Sequence, residues 1–385
     1  MSCIERFFGW FFLLAFIFIP LNFWGYSWQF SLTDFIFSSP VTLLQEVLFG
    51  TTGIVDFSSD SLSLAILLMF LVIISGVATV IQQIFIKTQF DITRTARSAS
   101  AMYLFFVLMK YGADKIFKAQ FYLPEPNILY SQFGQLTRDT LFWSTMGLSH
   151  TYTFLAGVVE LGCALLIIFR RTRVLGLLVS IAVFGNIIAI NFGFNISVKM
   201  FSCFLFASAV FAIYPNLRTL FRFFCGNEAE SLKSINPEVK NKGFRVAVKT
   251  FAASFLALLV FYPNLNSGDF NDDLVARPLL HGAYKIDNTI FNGDTLQNDE
   301  VPIEKMFVHR RNYLIFQQAD GWMRDYYFTT DTIRHRIQLE DYRGRNLIIY
   351  YQLSKDRLML NFNKNGHWQI SGYRLDWEAL PALQP

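Results

Sequence analysis

The chain has 385 residues, of which 53% are hydrophobic and 16% carry a charge, and its 43 phenylalanines raise the aromatic share to 17%. Soluble globular domains are about 25% charged, so this composition excludes an ordinary soluble protein and indicates a membrane protein. Residues 264–385 hold 14 basic and 16 acidic side chains, a net charge of −2, whereas the whole chain carries +4, which leaves +6 on the apolar part. A basic excess confined to the apolar part indicates membrane topology and argues against a nucleic-acid partner.

Seven long apolar runs predict about seven transmembrane helices. They cover residues 7–24, 63–86, 98–113, 149–169, 174–194, 198–214 and 246–262. Each is close to the ~17–25 residues that a spanning helix needs. The third run is the least obvious, because it contains Lys110. We expect the first run to remain as an anchor, since "MSCIERFF" is a weak start for a signal peptide and no small-x-small cleavage site follows it.

The charges of the connecting segments predict the orientation in the membrane. With a cytoplasmic N-terminus, the cytoplasmic segments contain 14 lysines and arginines. The opposite loops contain four, which are Lys115, Lys118, Arg138 and Lys199. Because basic loops are retained in the cytoplasm, the chain is predicted to be a multi-pass protein of the bacterial cytoplasmic (inner) membrane, whose C-terminal domain is extracytoplasmic.

Composition divides the chain into four predicted segments. They are two N-terminal transmembrane helices with an outer loop (1–97), a four-helix membrane unit (98–225), a cytoplasmic linker with the seventh helix (226–265) and an extracytoplasmic β domain (270–385). Within the outer loop, "SPVTLLQEVLFG" predicts an interfacial or re-entrant helix that begins at Ser39 and Pro40.

Hydrophobic residues alternate with a period of two from about residue 280 onward. Runs such as "NLIIYYQL" and "HWQISGYRL" are separated by turn signals such as "NKNG". This pattern predicts a small antiparallel β domain, either a barrel or a sandwich, attached to a mainly α-helical membrane protein. Its tryptophans Trp322, Trp368 and Trp377 either form core or line an apolar pocket, and "HRR" at 309–311 predicts a solvated strand edge.

Six polar side chains in or near the apolar runs are the candidate site residues. They are Glu160, Asn186, Asn191, Lys110, Asp114 and Lys199. A charged side chain at the bilayer centre costs ~2.5–3.5 kcal/mol, so we expect Glu160 to face inward and pair with Lys110 or Asn186. Lys110 and Asp114 are spaced i, i+4 and share one helix face. The cluster either locks the bundle together or forms a cavity that handles protons or binds a ligand.

The motifs of common enzymes are missing from the sequence. His150 is the one histidine near the apolar runs, the four cysteines form no C-x-x-C pair, and no G-x-G-x-x-G, Walker A or G-x-S-x-G motif occurs. The sequence therefore identifies no catalytic residues and predicts no metal, haem or nucleotide site. It favours a protein that is not an enzyme. No cofactor is evident; a quinone near Glu160 is left open.

Residues 98–225 resemble the DoxX family of four-helix membrane proteins, in a long form with extra transmembrane helices and an outer domain. The resemblance is carried by "KYGADKIFKAQF", by "FLAGVVE" in a helix that "RRT" closes, by the asparagine-bearing helix that follows and by "NISVK". Asn195 stands where the family pattern more often carries Asp. The family is named for a subunit of a thiosulfate:quinone oxidoreductase, and the resemblance alone does not settle the chemistry.

Two hypotheses follow. The first is a non-catalytic membrane module that lies in the lipid bilayer and couples a helix bundle to an outer β domain, for binding a protein partner or for an envelope function. The alternative is an accessory subunit of a membrane redox system, which contacts quinone or handles protons near Glu160.

Overall fold

The computed structural model describes residues 2–21, 28–50, 53–85, 91–226, 231–233, 242–296 and 303–384. It divides the chain into two compact units. The helical unit comprises Met1–Gln120 and Phe154–Phe270, and the β unit comprises Phe121–Thr153 and Asn271–Pro385. Residues 121–153, which lie inside the predicted four-helix segment 98–225, thus group with the β domain.

The helices follow in chain order. They are α1 (Cys3–Phe18), α2 (Trp28–Phe49), α3 (Leu62–Phe85), α4 (Ile92–Ile116), α5 (Pro126–Leu129), α6 (Arg138–Leu148), α7 (His150–Ile168), α8 (Arg173–Gly193), α9 (Lys199–Gly226) and α10 (Lys242–Ser267). Among the described residues, five helical stretches are long and apolar enough to cross a membrane: α3, α7, α8, α9 and Val246–Leu274. This confirms a multi-pass membrane protein. The predicted count of seven spans also requires α1 and α4 and stays a prediction.

The apolar side chains on the outside of these helices also indicate a lipid environment. Ile73 and Val77 of α3 are each more than half exposed, as are Phe251 and Leu258 of α10. Water would be a poor solvent for such continuous apolar faces, whereas the hydrocarbon of a bilayer stabilises them.

Helix α4 is the least apolar of the predicted spans, and it can be so because other helices enclose it. It packs against α1, α9 and α10, and its buried side extends from Thr93 through Ser100 and Leu108 to Lys115. A helix that faces protein on most sides does not have to be apolar all round, since its polar groups are satisfied within the bundle. Hydropathy alone therefore underestimates how far this helix is buried in the bundle.

Contacts at one end of the helical unit show how its helices alternate in direction. Glu5 in the first turn of α1 forms an ion pair with Arg97 of α4 at 3.1 Å. Trp10 Nε1 donates to Gln82 Oε1 near the end of α3 at 2.9 Å, and the guanidinium of Arg97 lies 5.4 Å from the ring of Phe211 in α9. The starts of α1 and α4 thus lie beside the C-terminal half of α3 and the middle of α9, as in an up-and-down bundle.

Helix α2 does not begin at Ser39 and Pro40, so that prediction is wrong. The helix begins at Trp28 and contains Pro40 in its interior. Proline removes one backbone hydrogen bond from a helix, but tertiary contacts hold α2 on both sides of it, and after Pro40 the side chain of Gln45 donates to Ser63 Oγ at 3.0 Å. Gln29 Nε2 donates to three carbonyl oxygens at the end of α1, including that of Ile19 at 2.9 Å, and the ring of Phe37 packs edge-on against Phe18.

The β unit contains an eight-stranded antiparallel barrel in the described part of the chain. The strands of the unit are β1 (Gly282–Phe291), β2 (Asp294–Thr295), β3 (Ile303–Val308), β4 (Tyr313–Gln318), β5 (Met323–Asp331), β6 (Arg336–Glu340), β7 (Asn346–Ser354), β8 (Arg357–Asn363) and β9 (His367–Leu375), and all of them except β2 form the barrel. Neighbours in sequence pair from β3 to β9, and β1 pairs with both β3 and β9, which closes the barrel. The short β2 pairs only with β1. The predicted antiparallel β domain is confirmed, and it is a barrel rather than a sandwich.

Side chains fill the barrel interior, as expected for eight strands. Tyr284, Phe328, Leu358 and Leu360 are fully buried there. A second apolar cluster packs Trp377 against Ala283, Phe307 and Ile315. Trp377 is thus core, as one interpretation held. Trp368 stacks on Phe362, with the ring centroids 6.2 Å apart, and Trp322 is 59% exposed.

Candidate functional site

Glu160 is buried in the helical unit and pairs with a lysine of α4. Its Oε2 lies 2.8 Å from Nζ of Lys115, and the two side chains are 5% and 10% exposed. The expected partners were Lys110 and Asn186. In the structure the partner is Lys115. Its position beyond the apolar run 98–113 had suggested an outer loop, but it lies in the last turn of α4.

A second ion pair lies on the same helix. Nζ of Lys110 is 2.5 Å from Asp114 Oδ2, as the i, i+4 spacing predicts. The ring of Tyr111 joins the two pairs, because its centroid is 5.5 Å from Nζ of Lys110 and 5.7 Å from Nζ of Lys115. Cations at this distance are attracted by the ring. We call Lys110, Tyr111, Asp114, Lys115 and Glu160 the ion-pair cluster.

The other three candidate residues have different surroundings. Asn186 is exposed on α8. Asn191 is buried, and its side-chain amide approaches the carbonyl oxygen of Val198 at 3.5 Å. Nζ of Lys199 donates to Asn195 Oδ1 at 3.0 Å and lies 3.7 Å from Asp60. The structure thus brings Glu160, Lys110 and Asp114 into one cluster, while the contacts of Asn191 and Lys199 are made elsewhere.

Two glycines let α4 and α7 approach closely enough for the Lys115–Glu160 pair to form. A Cβ atom on Gly157 would lie 2.6 Å from the carbonyl oxygen of Gly112, and one on Gly112 would lie 2.9 Å from that of Gly157. Both distances are below normal contact, so only glycine fits. Small residues at helix crossings are the usual way for membrane helices to make close contact.

We predict that Gly157→Ala separates α4 from α7 and destabilises the helical unit by roughly 1–3 kcal/mol, the usual range for overpacking. Gly162→Ala on the same helix is the matched control, since its added methyl meets no atom within 4 Å. Thermal unfolding in detergent measures both variants. Equal melting temperatures for the two would contradict the close contact.

A buried network in the β unit was missed by the sequence analysis. Glu125, just before α5, has one carboxylate oxygen 2.9 Å from Nε2 of His281. The other accepts from Nε of Arg310, whose Nη1 donates to Asp272. The guanidinium of Arg310 also lies 4.5 Å from the ring centroid of Tyr122. The network joins residues 121–131 to the barrel within this unit.

Arg310 corrects the prediction of a solvated strand edge at 309–311. Its side chain is only 11% exposed and is held by two carboxylates. The one local feature that could have pointed to the network is Glu125, which stands between two prolines in "LPEPN". The simplest interpretation of that segment is a solvent-exposed loop. Pairing it with residues more than 150 positions away could not be inferred from local pattern.

Electrostatics at this network favours a charged Glu125. Burial raises the pKa of Glu125, but the hydrogen bond from His281, the positive charges of His309 and Arg310 and the hydrogen bond from Arg310 lower it, to about 2. Burial also lowers the pKa of His309, only partly offset by the charge of Glu125. Near neutral pH the favoured forms are thus the carboxylate of Glu125 and the neutral imidazole of His309, and the charge of His309 acts on Glu125 only once acid protonates the imidazole.

The β unit should lose stability in two steps as the pH falls. The unfolded chain binds protons more readily than the folded one, at His309 below its ordinary pKa of 6.5 and at Glu125 between its ordinary 4.5 and about 2. Protonation of Glu125 lowers the free energy of unfolding by about 3 kcal/mol, since each unit of pKa difference corresponds to 1.36 kcal/mol. Hydrogen exchange of barrel amides at pH 7, 5 and 3 measures the loss. Unchanged protection at pH 3 would contradict it.

Comparison with known proteins leaves the family open. No protein-family model matches the chain, and no solved structure matches it. The uncharacterised protein YwoB of Bacillus subtilis (strain 168) is 28% identical over 106 residues, which is 25% of this chain and 69% of YwoB. The resemblance to DoxX proteins therefore stays a prediction. Within the described residues, no group of three or more histidine, cysteine or acidic side chains could hold a metal ion.

Proposed function

We propose that this chain is a non-catalytic membrane module of the DoxX-like type. Its helices anchor the β-barrel to the bacterial inner membrane, and the barrel binds a component of the cell envelope. The barrel supports this role most directly. Its strands close on themselves and its interior is filled by side chains, so a partner contacts the outer surface. That surface carries aromatic side chains that are at least 40% exposed: Tyr327, Tyr350 and Tyr373. Exposed tyrosines are frequent anchors in binding surfaces.

Photocross-linking in intact cells tests this proposal. A benzophenone amino acid replaces Tyr327, Tyr350 or Tyr373 in turn in the full chain. We expect at least one position to give a cross-linked species on a gel, and the same variants purified in detergent to give none, because the partner is then absent. Failure of all three positions in cells would overturn the partner-binding role.

The proposed orientation places the barrel outside the cytoplasm, because the basic residues lie mainly in the opposite segments. A C-terminal alkaline phosphatase fusion should therefore be active and a C-terminal GFP fusion dark. A bright GFP fusion with inactive phosphatase would mean that the number of membrane crossings differs by one.

The ion-pair cluster favours a second candidate, an accessory role in a membrane redox system. It contains two acids, two lysines and a tyrosine within the helical unit. Two turns earlier on α4, the buried hydroxyl of Tyr103 has no hydrogen-bond partner among the described residues, and its ring stacks on Phe16 at 4.6 Å. The carbonyl oxygen of a quinone would accept a hydrogen bond from such a group. The absorbance spectrum and lipid extract of the purified protein test this role, and a stoichiometric quinone would favour it over the first.

A further inference from the structure

A groove lies on the outer face of strands β7, β8 and β9. It is an open groove of about 410 Å³, lined mainly by Asn346, Ile348 and Tyr350 of β7, Asn361 and Asn363 of β8, and His367 at the start of β9. None of its lining residues is a lysine, arginine, aspartate or glutamate. The groove thus combines carboxamides, an imidazole and an aromatic ring without a formal charge from an acidic or strongly basic group.

The strand register places these side chains in one outward-facing row. Tyr350 pairs directly with Asn361, and Asn363 pairs with His367. The residues that alternate with them along the same strands, such as Ile349 on β7 and Leu360 on β8, point inward and are buried. Because successive strand residues alternate between faces, the outward row is a property of the sheet and not of mobile loops. Tyr350 is 56% exposed, so its ring is open to a ligand.

The chemistry of the groove limits what it can bind. Strands β7 and β8 are paired on both sides, so a peptide cannot join the sheet there as an added strand. Recognition therefore rests on side chains. Phosphate or nucleic acid would require cationic groups, and no lining residue is cationic; Arg336, which pairs with Tyr350 from strand β6, forms an ion pair with Asp331 at 3.4 Å. Each carboxamide both donates and accepts hydrogen bonds, as sugar hydroxyls do, and a tyrosine offers an apolar face with a polar tip.

We propose that this groove binds a neutral oligosaccharide of the cell envelope, with a sugar ring stacked on Tyr350 and its hydroxyl or acetamido groups bonded to Asn361 and Asn363. A volume of about 410 Å³ falls within the ~300–1,000 Å³ of small-ligand sites. The inference rests on the proposed function and names the chemical class of the partner.

Saturation-transfer NMR on the full chain in nanodiscs tests the inference with three probes: cellotriose, maltotriose and tri-N-acetylchitotriose. We expect at least one probe to receive saturation through its ring protons. Tyr350→Ala and Asn361→Ala should each weaken binding about tenfold or more, a loss of about 1.4 kcal/mol, whereas Tyr350→Phe keeps the ring and most of the affinity. Trp322→Ala, which removes an exposed aromatic side chain outside the groove, is the matched control and should bind normally.

The inference is overturned if no probe binds, or if a probe binds equally well to the folded Tyr350→Ala protein. Cross-linking in cells separates this result from failure of the proposed function. A protein cross-linked at position 350, together with no bound probe, would retain the envelope-binding role and reject the oligosaccharide. Absence of both signals would reject both.

Discussion

Lys115→Met should lower the free energy of unfolding of the helical unit by about 3–5 kcal/mol, because it leaves the Glu160 carboxylate buried without its cation. Glu160→Gln should have a smaller effect of the same kind, because it removes the negative charge that Lys115 contacts. Combining Lys115→Met with Glu160→Leu should restore much of the stability, since both charges are then removed from the bundle. Unfolding in mixed micelles, followed by circular dichroism, measures each variant.

Lys110 supplies the control for this pair. Its partner is Asp114, so Lys110→Met should not rescue Glu160→Gln, whereas Lys115→Met should rescue it in part. Additive effects of Lys115→Met and Glu160→Leu would show that the two residues do not interact. A Glu160→Gln protein of normal stability that loses its role in the cell would instead favour the proton or quinone function.

Glu125→Leu should destabilise the β unit by a similar amount, about 3–5 kcal/mol, because Arg310 and His281 then lose the carboxylate that both contact. Glu340→Gln, at an exposed position on β6, is the control and should change stability by less than about 0.5 kcal/mol. Amide hydrogen exchange of the barrel strands in the full chain separates this unit from the helices. Normal protection of the barrel in Glu125→Leu would contradict the structural role of the network.

The same network predicts an interaction between substitutions. Adding Arg310→Met to Glu125→Leu should restore only part of the stability, because Arg310 also binds Asp272, which would then keep only the more distant Arg277, 3.8 Å away. Full rescue would show that Asp272 contributes little, and no rescue would show that His281 carries most of the effect of Glu125.

The architecture was largely readable from the sequence because its signals are local. A run of about twenty apolar residues and an alternation with a period of two each arise from neighbours in the chain, so helices α3, α7, α8 and α9 and the antiparallel strands were predicted close to their positions. Lys110 and Asp114 were placed on one helix face for the same reason, and the structure shows that their side chains form an ion pair there. The start of α2 was wrong because contacts of Gln29 and Phe37 with α1 outweigh the local signal of Pro40.

Only the tertiary structure decided which groups meet across the chain. The choice among Lys110, Asn186 and Lys115 as the partner of Glu160 depends on the rotation of α7 against α4, which the contact of Gly112 with Gly157 determines. Glu125 and Arg310 are 185 residues apart, and nothing in their own neighbourhoods encodes the pairing. Local propensity determines which element a residue joins, but burial and charge pairing are properties of the packed chain, so both buried ionic sites became visible only there.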